Sequence, residues 1–267
     1  MAKAGTIRVG IGGWTYPPWR GDFYPAGLPH KQELAFAAGR LTAIEINATF
    51  HGPQKPQSFT NWAAAVPDGF VFALKASKYV CGRKVLAEAG EGIERFVGGG
   101  LVELGDRLGP ILWQMPAHRR FDPDDIAAFL ALLPQSHAGT ALRHAIQVRH
   151  ASFACPEFVA LARAAGVAIA FADAGTAPIF DVTADFAYLR LEAAQAEETA
   201  GYPADALDRW AADAQGWAAG AAPDRHALLG PAPPAAPRDT FVFCINGAKE
   251  RAPFAATALI ARLSEGG

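Results

Sequence analysis

Eight short runs of apolar residues recur along the chain, and stretches of helical character separate most of them. Each run has the length of a β-strand and is rich in Val, Ile, Phe or Leu. Because strands that alternate with helices pair in parallel through crossover connections, the pattern predicts an α/β fold. The predicted strands span residues 7–11, 43–46, 70–74, 111–113, 145–148, 167–172, 186–191 and 241–245.

Prolines mark the points where four of the helices are expected to begin. Pro123 and Pro156 are each followed by an acidic residue, an arrangement typical of a first helical turn. A third helix is predicted to begin near Pro203 and to end near Gly220, and a fourth to begin at Pro253. About eight strand–helix units favour a closed barrel over a doubly wound sheet, which usually has fewer units.

The length of the chain supports this architecture, since 267 residues are typical of one α/β barrel. Residues 1–267 are therefore predicted to form a single TIM-like (β/α)8 barrel domain with its functional site at the C-terminal ends of the strands. Residues 218–238 are rich in Ala and Pro and lie between the seventh helix and the eighth strand. They are predicted to form a flexible loop on the opposite face of the barrel.

Composition narrows the class of protein. The net charge is −2 and no run of about 18 apolar residues occurs, so composition by itself predicts neither a nucleic-acid binder nor a membrane protein. Residues 1–6 are polar, and Cys81, Cys155 and Cys244 lack the spacing of a metal or redox motif. We therefore expect a cytoplasmic protein with reduced thiols.

Polar side chains stand at strand positions that face the inside of the predicted barrel. Alternate residues of a barrel strand face the lumen, which directs Glu45, Asn47 and Lys75 inward. Such groups are costly to bury without partners, so we predict a polar site at the barrel mouth. The alternative is a self-satisfied network that closes the top of the barrel. The same parity turns Gln147, Arg149, Tyr188, Arg190 and Glu192 inward, and Gln114 and Asn246 fall at strand ends.

The loops that follow the strands add basic and aromatic side chains. Basic residues outnumber acidic ones there, which favours an anionic partner such as a phosphate, a carboxylate or a nucleic-acid backbone. In the first loop, Trp14 and Tyr16 indicate either a stacking wall for a sugar or a base, or a packed lid. The basic loop residues are Arg20, Lys55, Lys78, Arg83, Lys84, Arg119, Arg120, Lys249 and Arg251.

No cofactor and no metal site are predicted. Residues 10–13 follow a strand but lack the third glycine of a dinucleotide-binding fingerprint. A divalent metal is kept as an alternative, because barrel metal sites often take ligands from the ends of separate strands, although no pair here has helical spacing. The ligands would come from Glu45, His51, His150 and Asp173.

Five segments carry a resemblance to a known family. They are GIGGWTY at 10–16, IEINATF at 44–50, FVFALKA at 70–76, LGPILWQMP at 108–116 and AIQVRH at 145–150. Weaker matches are AD at 172–173, AYLR at 187–190 and CIN at 244–246. In this order the segments resemble the YecE-like proteins, known as domain of unknown function 72. The resemblance implies a TIM-like barrel but no activity, and fold-level analogy relates it to sugar-isomerase and endonuclease barrels.

The chain departs from the pattern of that family at several positions. Gln147 stands where the family usually has Glu, which removes a potential base or metal ligand. Either Glu45 then carries the acid–base work alone, or this member has altered or lost its chemistry. The other departures are His51 for Tyr, Phe153 for Trp, Glu192-Ala193 for His-Gly and Asn246-Gly247 for Asn-Asn.

The leading hypothesis is a protein that binds or processes a small anionic, carbohydrate-like substrate, phosphorylated or carboxylated. Glu45 would be the general acid/base, and like charge from two arginines would lower the pKa of Lys75 for proton transfer or Schiff-base chemistry. The reaction class is left open between hydrolase, lyase and isomerase. The predicted substrate-binding residues are Trp14, Tyr16, Asn47, Gln114, Gln147, Arg149, His150, Asp173, Arg190 and Asn246.

Two other functions stay open at this point. A nucleic-acid-binding or endonuclease-like barrel would use the basic loops and the aromatic first loop, and its binding would weaken steeply with salt. A non-catalytic binding protein is favoured by Gln147. No membrane partner is expected, and the sequence determines neither the substrate nor the oligomeric state.

Overall fold

Eight parallel strands form a closed barrel in the computed structural model, which describes residues 4–175 and 178–265. The strands are β1 (Ile7–Gly12), β2 (Ala43–Ile46), β3 (Val71–Lys75), β4 (Leu108–Gln114), β5 (His144–Gln147), β6 (Ala168–Ala172), β7 (Phe186–Leu191) and β8 (Asp239–Cys244). Each strand pairs with its sequence neighbours, and β1 also pairs with β8, which closes the ring. The predicted TIM-like (β/α)8 barrel is therefore confirmed.

Helices follow the strands around the outside of the barrel. The predicted start at Pro123 is confirmed, and the carboxylate of Asp122 caps that helix by accepting a hydrogen bond from the backbone N–H of Asp125 at 3.2 Å. None of the helices in the described residues is long and apolar enough to span a bilayer. They are α1 (Glu33–Ala38), α2 (Ala48–His51), α3 (Pro56–Ala64), α4 (Lys78–Cys81), α5 (Gly90–Val97), α6 (Pro123–Ala131), α7 (Pro156–Ala164), α8 (Ala204–Ala219) and α9 (Ala252–Glu265).

The barrel interior is built from one parity of each strand, as the alternation predicted. Small side chains such as Ala43, Ala73 and Ala145 line one side, and Tyr188 and Phe243 fill the space from the other side. The opposite parity packs against the helices in the larger apolar core. The polar residues of the same parity occupy the last inward-facing positions of their strands, which places them at the C-terminal mouth of the barrel.

Two local features were not predicted from the sequence. Residues Ser136–His137 and Thr140–Ala141 form a short antiparallel hairpin between α6 and β5. The three-glycine run that ends at Gly100 has a packing explanation, because Gly100 has a φ of 100° and a Cβ there would lie 2.8 Å from Pro56. Glycine therefore lets α3 approach the turn after α5.

The Ala- and Pro-rich segment 218–238 begins inside α8, whose last residue is Ala219, and otherwise has no helix or strand. Side chains of neighbouring elements hold it at two points. The carboxylate of Asp181 accepts hydrogen bonds from the backbone of Leu229 and Gly230 at 3.0 and 2.8 Å. On α8, Asp213 accepts hydrogen bonds from Arg225 and His226 in the loop. The flexibility of this loop stays a prediction.

Candidate functional site at the barrel mouth

A buried ion pair lies at the centre of the barrel mouth. The carboxylate of Glu45, from β2, accepts hydrogen bonds from Nε and Nη2 of Arg190, from β7, both at 3.0 Å. The hydroxyl of Tyr188 donates a further hydrogen bond to the same carboxylate at 2.7 Å. Only 0% and 1% of the Glu45 and Arg190 side chains are exposed. Both oxygens of Glu45 are thus occupied by protein donors.

The second face of Arg190 contacts two side chains at the ends of β5 and β7. Its Nη1 donates to Oε1 of Gln147 at 2.7 Å and to Oε1 of Glu192 at 2.5 Å. Gln114, at the end of β4, donates from Nε2 to the same Gln147 oxygen. Arg149 donates from Nη2 to both oxygens of Glu192, at 3.1 and 3.3 Å. The strand ends predicted to converge therefore share one hydrogen-bonded network.

Charges within this network set its protonation. Burial by itself lowers the pKa of Arg190, but the adjacent carboxylates of Glu45 and Glu192 outweigh it and raise the pKa. Burial, followed by the charge of Glu45, raises the pKa of Tyr188 well above its usual value. At neutral pH the network therefore holds a charged guanidinium and a neutral phenol that serves as a hydrogen-bond donor.

Lys75, the last residue of β3, lies at the mouth but is not part of the hydrogen-bonded network. Its Nζ lies 4.0 Å from the centre of the Phe50 ring, and within residues 4–175 and 178–265 it makes no hydrogen bond or ion pair. The side chain is half-buried, but Nζ is not sealed from solvent. Burial is the first cause that lowers the pKa of Lys75, to about 8, and the charges of Arg190 and Arg149 add to it. The lowered pKa was expected, but the sequence argument named like charge as the cause where burial is the larger one.

A small cavity opens beside the exposed edge of the network. It has a volume of about 120 Å³, and Arg149 and Glu192 contribute its polar lining together with the apolar ends of β5 and β6. The Arg149 side chain is 40% exposed and that of Glu192 is 7% exposed. Within the described residues, Nε and Nη1 of Arg149 have no protein partner. These two nitrogens are therefore open to a ligand at the mouth.

Comparison with known proteins places the chain in a family. The family model described as "Protein of unknown function DUF72" matches residues 8–267. The chain belongs to the DUF72 family. No curated protein matches the chain.

Solved structures of other DUF72 proteins share the fold of this DUF72 chain. A DUF72 family protein from Enterococcus faecalis V583 has a TM-score of 0.71 at 16% identity, over 97% of this chain and 96% of that one. A DUF72 family protein from Thermotoga maritima MSB8 has a TM-score of 0.70 at 19% identity, over 98% of this chain and 100% of that one. A xylose isomerase-like TIM barrel/4-hydroxyphenylpyruvate dioxygenase fusion protein reaches a TM-score of 0.47 at 16% identity, over 94% of this chain and 41% of that one.

Asp173 of the DUF72 chain fixes the backbone of Glu192, one of the residues of the network. One of its carboxylate oxygens accepts a hydrogen bond from the backbone N–H of Glu192 at 2.5 Å, and the other accepts from the hydroxyl of Tyr202 at 2.7 Å. Burial raises the pKa of Asp173, although the two hydrogen bonds act to lower it. Tyr202 and Glu192 were not among the predicted site residues. Strand parity had already turned Glu192 inward, whereas no pattern in the sequence pointed to Tyr202.

The remaining predicted ligand contacts lie in different settings. Asn47 is half-buried at the mouth beside Gly12, whereas Asn246 is exposed on the loop after β8. His150 caps a short 3-10 helix, since its Nδ1 accepts a hydrogen bond from the backbone of Ser152 at 3.1 Å. The structure therefore brings Asn47 to the mouth but does not bring Asn246 or His150 into the network.

The two aromatic residues of the first loop have protein partners. The ring of Trp14 lies 5.4 Å from that of Trp62 on α3, at a steep angle. The ring of Tyr16 lies 4.7 Å from Nζ of Lys249, which follows β8. Both contacts agree with the packed-lid interpretation, and binding of a sugar or base by these rings stays a prediction.

The alternative metal ligands are not brought together. Glu45 is taken up by Arg190, His51 is exposed, and the other two candidates have the partners described above. Throughout the described ranges, no group of three His, Cys, Asp or Glu side chains is placed to hold a metal ion. The charged groups at the mouth of the DUF72 barrel are arginine, lysine, glutamate and aspartate side chains, most of them paired with one another.

Proposed function

We propose that this DUF72 protein binds and processes a small anionic, carbohydrate-like molecule at the C-terminal mouth of its barrel. One observation carries the proposal: Lys75 is a cation that lacks a carboxylate partner in the described residues, while Arg190 and Arg149 are matched by Glu45 and Glu192. A partly buried cation without a counter-ion is costly unless a ligand supplies the negative charge.

The geometry supports different roles for the charged residues. Lys75 and the two open nitrogens of Arg149 would contact a phosphate or carboxylate group. Glu45 would orient Arg190, because both its oxygens are already bonded, and the role of a free general acid/base passes to Lys75. A lysine whose pKa is about 8 exchanges protons readily near neutral pH, which suits acid–base chemistry.

Isothermal titration calorimetry at about pH 7 tests this proposal with glucose 6-phosphate, gluconate and uncharged glucose. We expect the two anions to bind and glucose not to bind, because Lys75 supplies the charge that recognises them. Lys75→Met should weaken anion binding at least about tenfold, or 1.4 kcal/mol. Lys78→Met is the matched control, since Lys78 is exposed on α4. Absence of heat with both anions, or equal binding by Lys75→Met, overturns the proposal.

A second candidate function is binding of a nucleic-acid backbone by the loops after β2, β3 and β4. The guanidinium of Arg119 donates hydrogen bonds to the backbone oxygens of Arg83 and Lys84, which brings two of these loops together. Five basic side chains there are exposed and have no ion pair within the described part of the chain. They are Lys55, Lys78, Arg83, Lys84 and Arg120.

A further inference from the structure

The lysines of the described residues differ in their surroundings, and Lys75 differs from all the others. Lys31, Lys55, Lys78 and Lys84 are exposed. Lys249 is half-buried against Tyr16, and burial alone lowers its pKa. Lys75 combines partial burial, an aromatic face under its ammonium group and charged neighbours on two other strands.

From this arrangement we infer that Lys75 forms a covalent imine with its ligand, which is therefore an aldehyde or ketone that also carries a phosphate or carboxylate group. The inference rests on the proposed function, since it assumes an anion held at the same mouth. It adds the class of the reacting group, a carbonyl carbon, and the atom that attacks it, Nζ of Lys75.

The first requirement for imine formation is a free, accessible amine. Within the described ranges no acceptor binds Nζ of Lys75, and that atom is not sealed from solvent, so a ligand does not have to displace a protein partner. A pKa of about 8 leaves roughly a tenth of the amine unprotonated at pH 7, against about 0.03% for an ordinary lysine. The reactive form of Lys75 is thus far more abundant than that of a lysine with the ordinary pKa.

The second requirement is a fixed position for the attacking nitrogen. The side chain begins at the last residue of β3, a rigid element, and its ammonium group lies over the ring of Phe50. The hydroxyl of Thr49 donates a hydrogen bond to the backbone oxygen of Lys75 at 2.7 Å and so ties that strand end to α2. Arg149, on β5's side of the mouth, would hold the anionic group while the carbonyl carbon faces Nζ.

The reaction balances without any further reagent. Nζ of the neutral amine adds to the carbonyl carbon, and the carbon–oxygen π bond becomes an oxyanion that takes a proton. Both protons of the amine end on this oxygen, which leaves as water, and a carbon–nitrogen double bond remains. Of the two carboxylates whose charges act on Lys75, Glu192 is the less buried, with 7% of its side chain exposed against 0% for Glu45, so it is the one open to relay these protons through solvent.

Reductive trapping tests the inference. The full chain is incubated near neutral pH with glycolaldehyde phosphate or glyoxylate, together with cyanoborohydride, which reduces an imine to a stable secondary amine. Peptide mass mapping then locates the adduct. We expect Lys75 to be the main lysine that is trapped, at least about tenfold faster than any exposed lysine, because its amine is fixed at the mouth beside the anion-binding groups and has a lowered pKa. Excess inorganic phosphate should slow it, and uncharged glycolaldehyde should react more slowly.

Two variants separate the imine from anion binding. Lys75→Arg keeps the positive charge but cannot form the adduct, so it should lose the trapped product completely, while its binding of glucose 6-phosphate by calorimetry should fall less than that of Lys75→Met. Lys249→Met removes the other half-buried lysine of the described residues and should leave the adduct at Lys75 unchanged.

The outcomes are distinguishable. Anion binding without a Lys75 adduct, or adducts spread evenly over the exposed lysines, overturns the imine and leaves the proposed function standing. Equal trapping of glycolaldehyde and its phosphate overturns the assigned ligand class. If the protein shows neither anion binding nor a trapped adduct, both proposals are overturned.

Discussion

Glu45 and Arg190 are removed from water together, and each depends on the other for its charge. Breaking a buried pair by removing one partner typically costs about 3–5 kcal/mol, because the remaining charge stays uncompensated. This dependence is the physical reason to assign Glu45 an orienting role. The carboxylate that the family resemblance leads one to expect at 147 is absent, but Glu192 supplies one to the same nitrogen of Arg190 that Gln147 contacts. The network therefore keeps its charge balance.

Lys75 should lower the stability of the protein at neutral pH. Its pKa is about 8 in the fold and about 10.5 in the unfolded chain, so between these values the unfolded state binds more protons and stability rises with pH. Lys75→Met should therefore be more stable than the wild type by about 1–2 kcal/mol at roughly pH 6.5, allowing for the partial exposure of the side chain. This advantage should shrink as the pH approaches about 10.

Urea denaturation of the two proteins across that pH range measures the difference. Comparing wild type with variant cancels the other groups that titrate there. A stability difference that stays constant from about pH 6.5 to 10 would contradict the lowered pKa, because Lys75 would then titrate alike in both states.

At the level of the secondary-structure elements, Gly10 lets β1 lie against β2 without room for a side chain. A Cβ on Gly10 would lie 1.9 Å from the backbone oxygen of Ala43 in β2, a contact that only movement of a strand can relieve. Gly10→Ala should therefore destabilise the barrel by about 3 kcal/mol, the upper end of typical overpacking costs. Urea unfolding measures this, and an effect below about 0.5 kcal/mol would show that the two strands separate freely.

Gly90, the first residue of α5, is the matched control for that substitution. A Cβ there would lie 3.7 Å from the side chain of Leu132, an ordinary contact. Because alanine favours a helix more than glycine does, Gly90→Ala should be neutral or slightly stabilising.

For the molecule as a whole, the distribution of charge decides between the two candidate functions. The chain is nearly neutral, yet five exposed basic side chains follow neighbouring strands on one side of the mouth. If all five contact phosphates, binding of a short DNA duplex should weaken about 10²–10³-fold between about 50 and 200 mM salt. Fluorescence anisotropy measures this. Replacing Lys84 and Arg120 with Glu should weaken the binding of DNA, whereas Lys75→Met should leave the binding of DNA unchanged. If the protein does not bind DNA at about 50 mM salt, the proposed nucleic-acid function is overturned.

Sequence periodicity by itself determined the architecture and the direction of the side chains at the mouth. The strand runs lie within a few residues of the observed strands, and alternation alone turned Glu45, Lys75 and Arg190 inward. Both signals are local, because they depend on residues one or two positions apart in a strand. Such a signal can be read without knowing which strands become neighbours.

Tertiary structure alone decided which of those side chains became partners. Glu45 and Arg190 are 145 residues apart, and no spacing rule reveals that they pair with each other while Lys75 has no hydrogen bond or ion pair among the described residues. Tyr202 reached Asp173 for the same reason, through a contact across 29 residues. Pairing at the mouth depends on distances between strand ends, and these distances exist only once the ring of strands has closed.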